Sequence, residues 1–294
     1  MIGDLVATIR NEGGTRLRNV IAGEQRLDTS QLATRADPGL YGPSSAVWRV
    51  HGEASMLIGG LRALMLQTLH PLAMAGVAEH SDYRHDPWGR LHRTGHFIGA
   101  TTYGNTATAE RTIAMVRAIH ERVEGHAPDG RPYSATDPHL LRWVHVTEVD
   151  SFLAAYDRYA AGRLTDAERD QYVAEMGEIA TRLGADDVPT DMASLQSCIE
   201  DFRPELRYDP QAQEAMRFLM RPPVPLLLAG AYGIVTAGAV GLLPGWAQRQ
   251  LRLPVPPGVE PIAVRPAAML FTRGIGWLLD DDFRREREAS MGAA

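Results

Sequence analysis

The sequence has no lysine and a single cysteine, Cys198, so all 30 of its basic residues are arginine. The missing lysines exclude Schiff-base chemistry and lysine ligation. One cysteine excludes an internal disulfide and any cysteine-based zinc site. Several motifs are absent as well. No G-x-S-x-G nucleophile elbow, H-E-x-x-H helix or Gly-rich phosphate loop of either standard type occurs, so hydrolase and nucleotide readings have no motif behind them. No excess of positive charge exists: the net charge is -6 and the pI about 5.9, which argues against nucleic acid as a partner. The start, Met1-Ile2-Gly3-Asp4, lacks a basic stretch followed by an apolar core. It does not read as a secretory leader, and a cytoplasmic location is expected, with membrane association left open. No run alternates apolar and polar residues between turn signals, so the expected fold is all-α. What remains is an ordinary globular composition, 45% hydrophobic and 22% charged over 294 residues, which excludes a disordered chain.

The feature present in excess is clustered histidine. All ten (51, 70, 80, 85, 92, 96, 120, 126, 139 and 145) lie within 95 residues. Histidine is the commonest metal ligand and titrates nearest neutral pH. The clustering points to a site within residues 51–145, with the C-terminal half as scaffold.

Along the chain, residues 1–44 read as a short N-terminal helix and an arm, and residues 45–290 as one multi-helix domain. Ser44-Ser45 offers N-caps for a helix whose apolar positions run from Val47 to Ile58, and Gly59-Gly60 is expected to interrupt it. A mostly apolar helical run follows from Leu61 to His70. An amphipathic helix is predicted from Thr106 to Glu124, with Gly125 as its stop. A Pro/Gly loop follows, and Asp137-Pro138 opens the next helix. Thr165 and Glu168 form a capping box for a helix to Leu183. Residues 222–248 carry no charge. As one helix they would be about 40 Å long, enough to span a bilayer. Prolines at 222, 223, 225 and 244 break that stretch, and two readings stand: a buried core helix broken near Pro244, or a membrane-inserted or interfacial hairpin.

Three constellations carry chemistry. His92 and His96 are four apart, which is ligand spacing on one helix face, and His80, His85 and Asp86 can add ligands for zinc or non-haem iron. Gly89 and Gly95 argue against an unbroken helix there, and surface histidines are the plainer reading. His120 lies among Val116, Ile119 and Val123, so it is expected at or near the core, either as a structural imidazole or as a haem ligand. His145, in Trp143-Val144-His145, has an apolar neighbourhood and reads as a structural histidine or as a partner to a ligand.

These residues, in order, resemble the rubber oxygenase (latex-clearing protein) catalytic domain family, which includes a membrane-bound oxygenase of mycophenolic acid biosynthesis. The resemblance runs from Trp48 and Glu53 through Arg62-Ala63-Leu64-Met65-Leu66-Gln67-Thr68-Leu69-His70-Pro71. It continues with Gly76-Val77-Ala78-Glu79-His80-Ser81 and Asp86-Pro87-Trp88-Gly89-Arg90-Leu91-His92-Arg93-Thr94. The His120 helix, Tyr133-Ser134-Ala135-Thr136-Asp137-Pro138 and Trp143-Val144-His145 complete it. It is strongest over residues 45–160.

The resemblance implies an all-α domain enclosing a haem pocket, one haem b, and His120 as the proximal iron ligand with dioxygen bound on the opposite side. The family's Arg-x-x-Lys-Thr pattern falls on Arg90, Arg93 and Thr94, with arginine in place of lysine. Arginine stays protonated and is a poor iron ligand, so a sixth ligand would be water or His92. In this reading Arg90 stabilises negative charge developing on oxygen, Thr94 donates a hydrogen bond, and His145 lies near the cofactor. Glu53 and Glu148 are the candidate bases. The implied activity is a haem-dependent oxygenase or oxidase using dioxygen on a lipophilic or secondary-metabolite substrate. Two other functions stand beside it: a haem-binding sensor or carrier without turnover, and a non-haem metal enzyme built on His80, His85, His92 and His96. Peripheral membrane contact through 222–248 and homo-oligomerisation are both open.

Overall fold

The computed structural model describes residues 27–253, 255, 256 and 258–292. The predicted N-terminal helix lies outside these residues. The described fold is all-α, with one two-stranded antiparallel ribbon. Its helices are α1 (Ala46–His51), α2 (Met56–Gln67), α3 (Pro71–His80), α4 (Pro87–Tyr103) and α5 (Thr106–His120). The ribbon follows, as β1 (Glu124–His126) and β2 (Pro132–Ser134). Then come α6 (Pro138–Tyr159), α7 (Asp166–Leu183), α8 (Met192–Phe202), α9 (Pro210–Met220), α10 (Leu226–Leu242), α11 (Gly245–Gln250) and α12 (Arg265–Gly292). A 3-10 turn, Arg203–Glu205, follows α8, and a π-helical turn, Glu260–Val264, leads into α12.

Helix α6 is the axis of the core. It is buried on most of its circumference, with Trp143, Val146, Val149, Phe152, Tyr156 and Tyr159 all inside. A helix buried over most of its surface must be flanked by several others, and α2 packs most extensively on it. The chain passes through Gly59-Gly60 without the expected interruption. A Cβ on Gly59 would stand 2.9 Å from a Phe152 ring carbon and 3.0 Å from the Ser151 carbonyl oxygen. Those glycines therefore serve close helix approach rather than chain breaking. The break falls instead at residues 52–55, between α1 and α2.

The contact of α2 with α6 is pinned by a buried arginine. Arg62 is 4% exposed; its Nη1 pairs with Asp150 at 2.7 Å and donates to Ser151 Oγ at 2.7 Å. Its Nε donates to the Leu242 carbonyl at 3.0 Å, tying the C-terminal end of α10 to the same point.

Residues 27–44 lie against the turn joining α4 and α5. Ala33 N donates to Tyr103 O at 2.8 Å, Asn105 N donates to Gln31 O at 2.8 Å, and Thr106 Oγ1 donates to Asp37 at 2.6 Å. Gly39 (φ 70°) takes a left-handed conformation here, and a Cβ would meet the Gly104 carbonyl oxygen at 2.1 Å.

The uncharged 222–248 stretch is buried at one end and exposed at the other. Its helix stops at Leu242, just before Pro244, and its C-terminal half is buried through Val235, Ala239 and Leu243. Its N-terminal half is largely exposed, with Leu226 at 92%. The π-helical turn and α12 that follow expose apolar residues too, Ile262 at 80% and Leu270 at 75%. The segment Glu260–Leu279 is long and apolar enough to cross a membrane by length and composition.

Candidate functional site

Helix α4 forms unbroken through Gly89, Gly95 and Gly99, contrary to the expectation from its glycines. Asp86 caps it, accepting from Gly89 N at 2.8 Å, and Pro87 occupies the first helical position. Packing on α5 supplies the rest. Asn105 caps α5, accepting from Thr108 N at 3.0 Å. That helix ends at His120, not at Glu124, because the chain turns there to pair β1 with β2. Arg90 near the start of α4 and His120 at the end of α5 both lie at the ends remote from the connecting Gly104-Asn105 turn.

Arg90 has none of the acidic partners that its neighbours would allow. Asp86 is taken by its capping role and by Arg93 at 3.2 Å, and Asp82 bonds His85 at 2.6 Å. Among the described residues the Arg90 guanidinium makes no hydrogen bond or ion pair; it lies 6.0 Å from the Tyr83 ring centre. Desolvation holds its pKa below the ordinary value. A desolvated cation without a counter-ion is an electrostatic demand that an anionic group can meet. Arg93 and Thr94 are exposed, and Thr94 sits mid-helix rather than at a cap.

His120 is half-buried, while its neighbour Ile119 is 46% exposed, so the last turn of α5 faces the core on one side only. The ring makes no side-chain hydrogen bond among the described residues, and its Nδ1 is fully buried without a partner. Burial lowers its pKa, which keeps the imidazole neutral at pH 7. His145, on α6, repeats the pattern: its Nε2 is buried and unpartnered, and burial lowers its pKa to about 4. Two neutral imidazoles with unused buried nitrogens fit the donor requirement of an iron porphyrin, and the unpaired Arg90 fits an anionic edge.

Glu148 lies one turn beyond His145 on α6, hence on the same face. It makes no hydrogen bond among the described residues, and desolvation alone raises its pKa to about 7. Its side chain nevertheless keeps some accessible surface. Glu53, in contrast, sits in the turn between α1 and α2, where its charge acts on Tyr156.

A carboxyl with a folded pKa near 7 opposes folding where the unfolded chain is already ionised. Between pH 4.5 and 7 the unfolded state releases a proton that the folded state keeps, so stability falls as pH rises. Each pKa unit is worth about 1.4 kcal/mol, so this penalty reaches at most about 3 kcal/mol above pH 7. Glu148→Gln is therefore expected to raise the urea midpoint at pH 8 and to leave it unchanged at pH 4.5. Equal midpoints at pH 8 would show that Glu148 is solvated.

Sequence reasoning did not single out the polar chain behind this face. His51 Nδ1 bonds Thr102 Oγ1 at 2.7 Å and its Nε2 bonds Tyr172 OH at 2.9 Å, joining α1, α4 and α7. Burial lowers the His51 pKa to about 3. Tyr172 is raised well above its ordinary value by burial and then by the charge of Glu148. His51 belonged to the histidine window; no spacing marked Tyr172 or Thr102.

The proposed non-haem set is not gathered. His80 Nε2 bonds Glu124 O at 3.2 Å and Tyr133 OH at 3.1 Å, and His85 is engaged by Asp82 at the surface. Among the described residues, the cluster with metal-ligand geometry is His70, His139 and Glu205, which includes none of His80, His85, His92 or His96.

The scaffold is all-α, and His120 and His145 each keep a buried ring nitrogen without a partner. The chain belongs to the family described as ER-bound oxygenase mpaB/B'/rubber oxygenase, catalytic domain, whose model matches residues 48–277. No curated protein and no solved structure matches the chain. Family membership makes it an oxygenase, an enzyme class that uses dioxygen.

Proposed function

We propose that the chain is a haem b-dependent oxygenase acting on a lipophilic small molecule. The observation that carries this reading is His120: a neutral imidazole on the core side of a helix end, with no hydrogen bond and a buried nitrogen. His120 would hold the iron, and Arg90, Arg93, Thr94 and His145 would surround the group. Bound haem supplies the activation of dioxygen. The protein supplies the remainder. The Arg90 guanidinium would stabilise negative charge developing on oxygen, and the Thr94 hydroxyl would donate a hydrogen bond there. Glu148, with its pKa near 7, accepts a proton from a substrate carbon at a carboxylate oxygen under neutral conditions. Apolar side chains of α6 exclude water from the reacting atoms.

The test is the visible spectrum of protein freshly purified from haem-sufficient cells. A Soret band with one porphyrin per chain is expected, and its absence would overturn the proposal. A Soret band without oxygen uptake on any lipophilic substrate would instead favour a carrier or sensor.

We also propose that the exposed apolar residues of α10, the π-helical turn and α12 rest on a membrane surface. Leu226, Ile262, Leu270 and Trp277 support this. Gly241 lies against Glu260 and Val264, so α10 packs on the π-helical turn that leads into α12. Co-flotation with anionic phospholipid vesicles is expected, and Leu226→Asp/Leu270→Asp is expected to abolish it. Unchanged flotation of that variant would remove the assignment.

A further inference from the structure

We propose that His70, His139 and Glu205 bind one divalent transition-metal ion, separate from any porphyrin. The three side chains come from three elements. His70 caps α3 ahead of Pro71, His139 lies in the first turn of α6, and Glu205 ends the 3-10 turn after α8. Their donor atoms all lie within 4.8 Å of one another. Glu205 Oε2 stands 3.3 Å from His70 Nε2, and both Glu205 oxygens stand 3.0 Å from His139 Nε2. Bonds of about 2.0–2.1 Å in a tetrahedron separate neighbouring ligands by about 3.3 Å. The cluster is thus near the ligand spacing such an ion requires.

Its frame is rigid. Arg207 N donates to the Leu69 carbonyl at 2.7 Å, so the segment after Glu205 is bonded to the residue before His70. The Phe202 ring lies 4.5 Å from His139 and 6.1 Å from His70, centre to centre. His70 is fully buried, while His139 and Glu205 are each about 40% exposed, which gives an ion an entry path. Two imidazoles and one carboxylate select zinc, iron(II) or cobalt(II) over magnesium or calcium. Three protein ligands leave a coordination position for water.

The proton count sets the condition for binding. Without metal, His139 Nδ1 accepts from Arg142 Nη2 at 3.2 Å and His70 Nδ1 accepts from Ala73 N at 3.5 Å. Each ring then carries its proton on Nε2 and donates it to Glu205. Metal entry moves both protons to Nδ1, so His70 gives up its cap on Ala73 N, and Arg142 gives up His139 while keeping Asp186 and Asp187, at 3.4 and 3.3 Å. Arg142 therefore competes with the ion for the tautomer of His139.

The experiment is calorimetric titration of chelator-treated full-length protein with zinc, and with cobalt(II) read by its visible d–d absorption. One equivalent is expected. His139→Ala and Glu205→Gln are each expected to weaken binding roughly 10–100-fold. Arg142→Met is expected to strengthen it, and His92→Ala/His96→Ala to change nothing. Circular dichroism of each variant establishes folding, and both substituted ligands are half-exposed. Absence of stoichiometric binding to the wild-type chain, or binding that survives His139→Ala/Glu205→Gln, would overturn the proposal. Because zinc is counted apart from porphyrin iron, this outcome is independent of the Soret test.

Discussion

Replacing His120 with alanine is expected to strip haem from the purified protein while leaving the helical circular-dichroism spectrum intact. His120 is the last residue of α5, half-buried, and without a side-chain hydrogen bond to lose. Removing it breaks no capping bond, since Asn105 caps the other end of the helix. The fold should therefore survive, and the consequence should fall on the cofactor. A single axial bond to neutral imidazole contributes much of the affinity of a b-type haem, which has no covalent attachment. The discriminating control is His145→Ala. That ring is also neutral and unpartnered, and it is buried more deeply. If His120 is the ligand, His145→Ala keeps a Soret band and His120→Ala loses it. The reverse pattern would move the iron to α6. Full haem retention in both variants would end the assignment of either residue.

The parts of this architecture legible in the sequence are those written in neighbouring residues. The capping box of α7 is one: Glu168 N donates to Thr165 Oγ1 at 3.2 Å and Thr165 N donates to Glu168 at 2.6 Å. Asp137-Pro138 opens α6 as its chemistry dictates, with Asp137 accepting from His139 N at 2.9 Å. The all-α class follows from the same local signals. Glycine misled in both directions. Gly59 looked like an interruption because its tertiary role, admitting Phe152, depends on a helix more than ninety residues away. Gly125 looked like the stop of α5, yet the strand pairing of residues 124–126 with 132–134 ends that helix earlier. The candidate site divides in the same manner. His120, His145, Arg90 and Glu148 could be named from pattern and resemblance. The isolation of Arg90 could not, because it depends on which neighbours Asp86 and Asp82 choose. His70 and Glu205 are 135 positions apart, and no periodicity links residues at that distance.

Arg62→Met is expected to cost about 3 kcal/mol of stability, the largest effect predicted for any single substitution in the core. Arg62 lies inside α2 at 4% exposure, and its guanidinium serves three elements. It neutralises Asp150 and donates to Ser151 Oγ on α6, and it satisfies the Leu242 carbonyl at the end of α10. Methionine fills much of the same volume, so cavity formation contributes little and the loss is electrostatic. Truncating one partner of a buried pair costs roughly 3–5 kcal/mol, mostly because the other charge is left behind. Asp150 keeps 24% exposure, so water reaches it and the lower end of that range applies. The double variant Arg62→Met/Asp150→Leu separates the causes. If the stranded carboxylate dominates, the second substitution restores most of the lost stability. If it restores none, the loss belongs to the Leu242 carbonyl and to the seating of α10, whose apolar residues would then become more exposed. Urea unfolding of the four chains in the cycle measures the split directly, and a single-variant loss below about 1 kcal/mol would show that the arginine is not the pin between α2, α6 and α10.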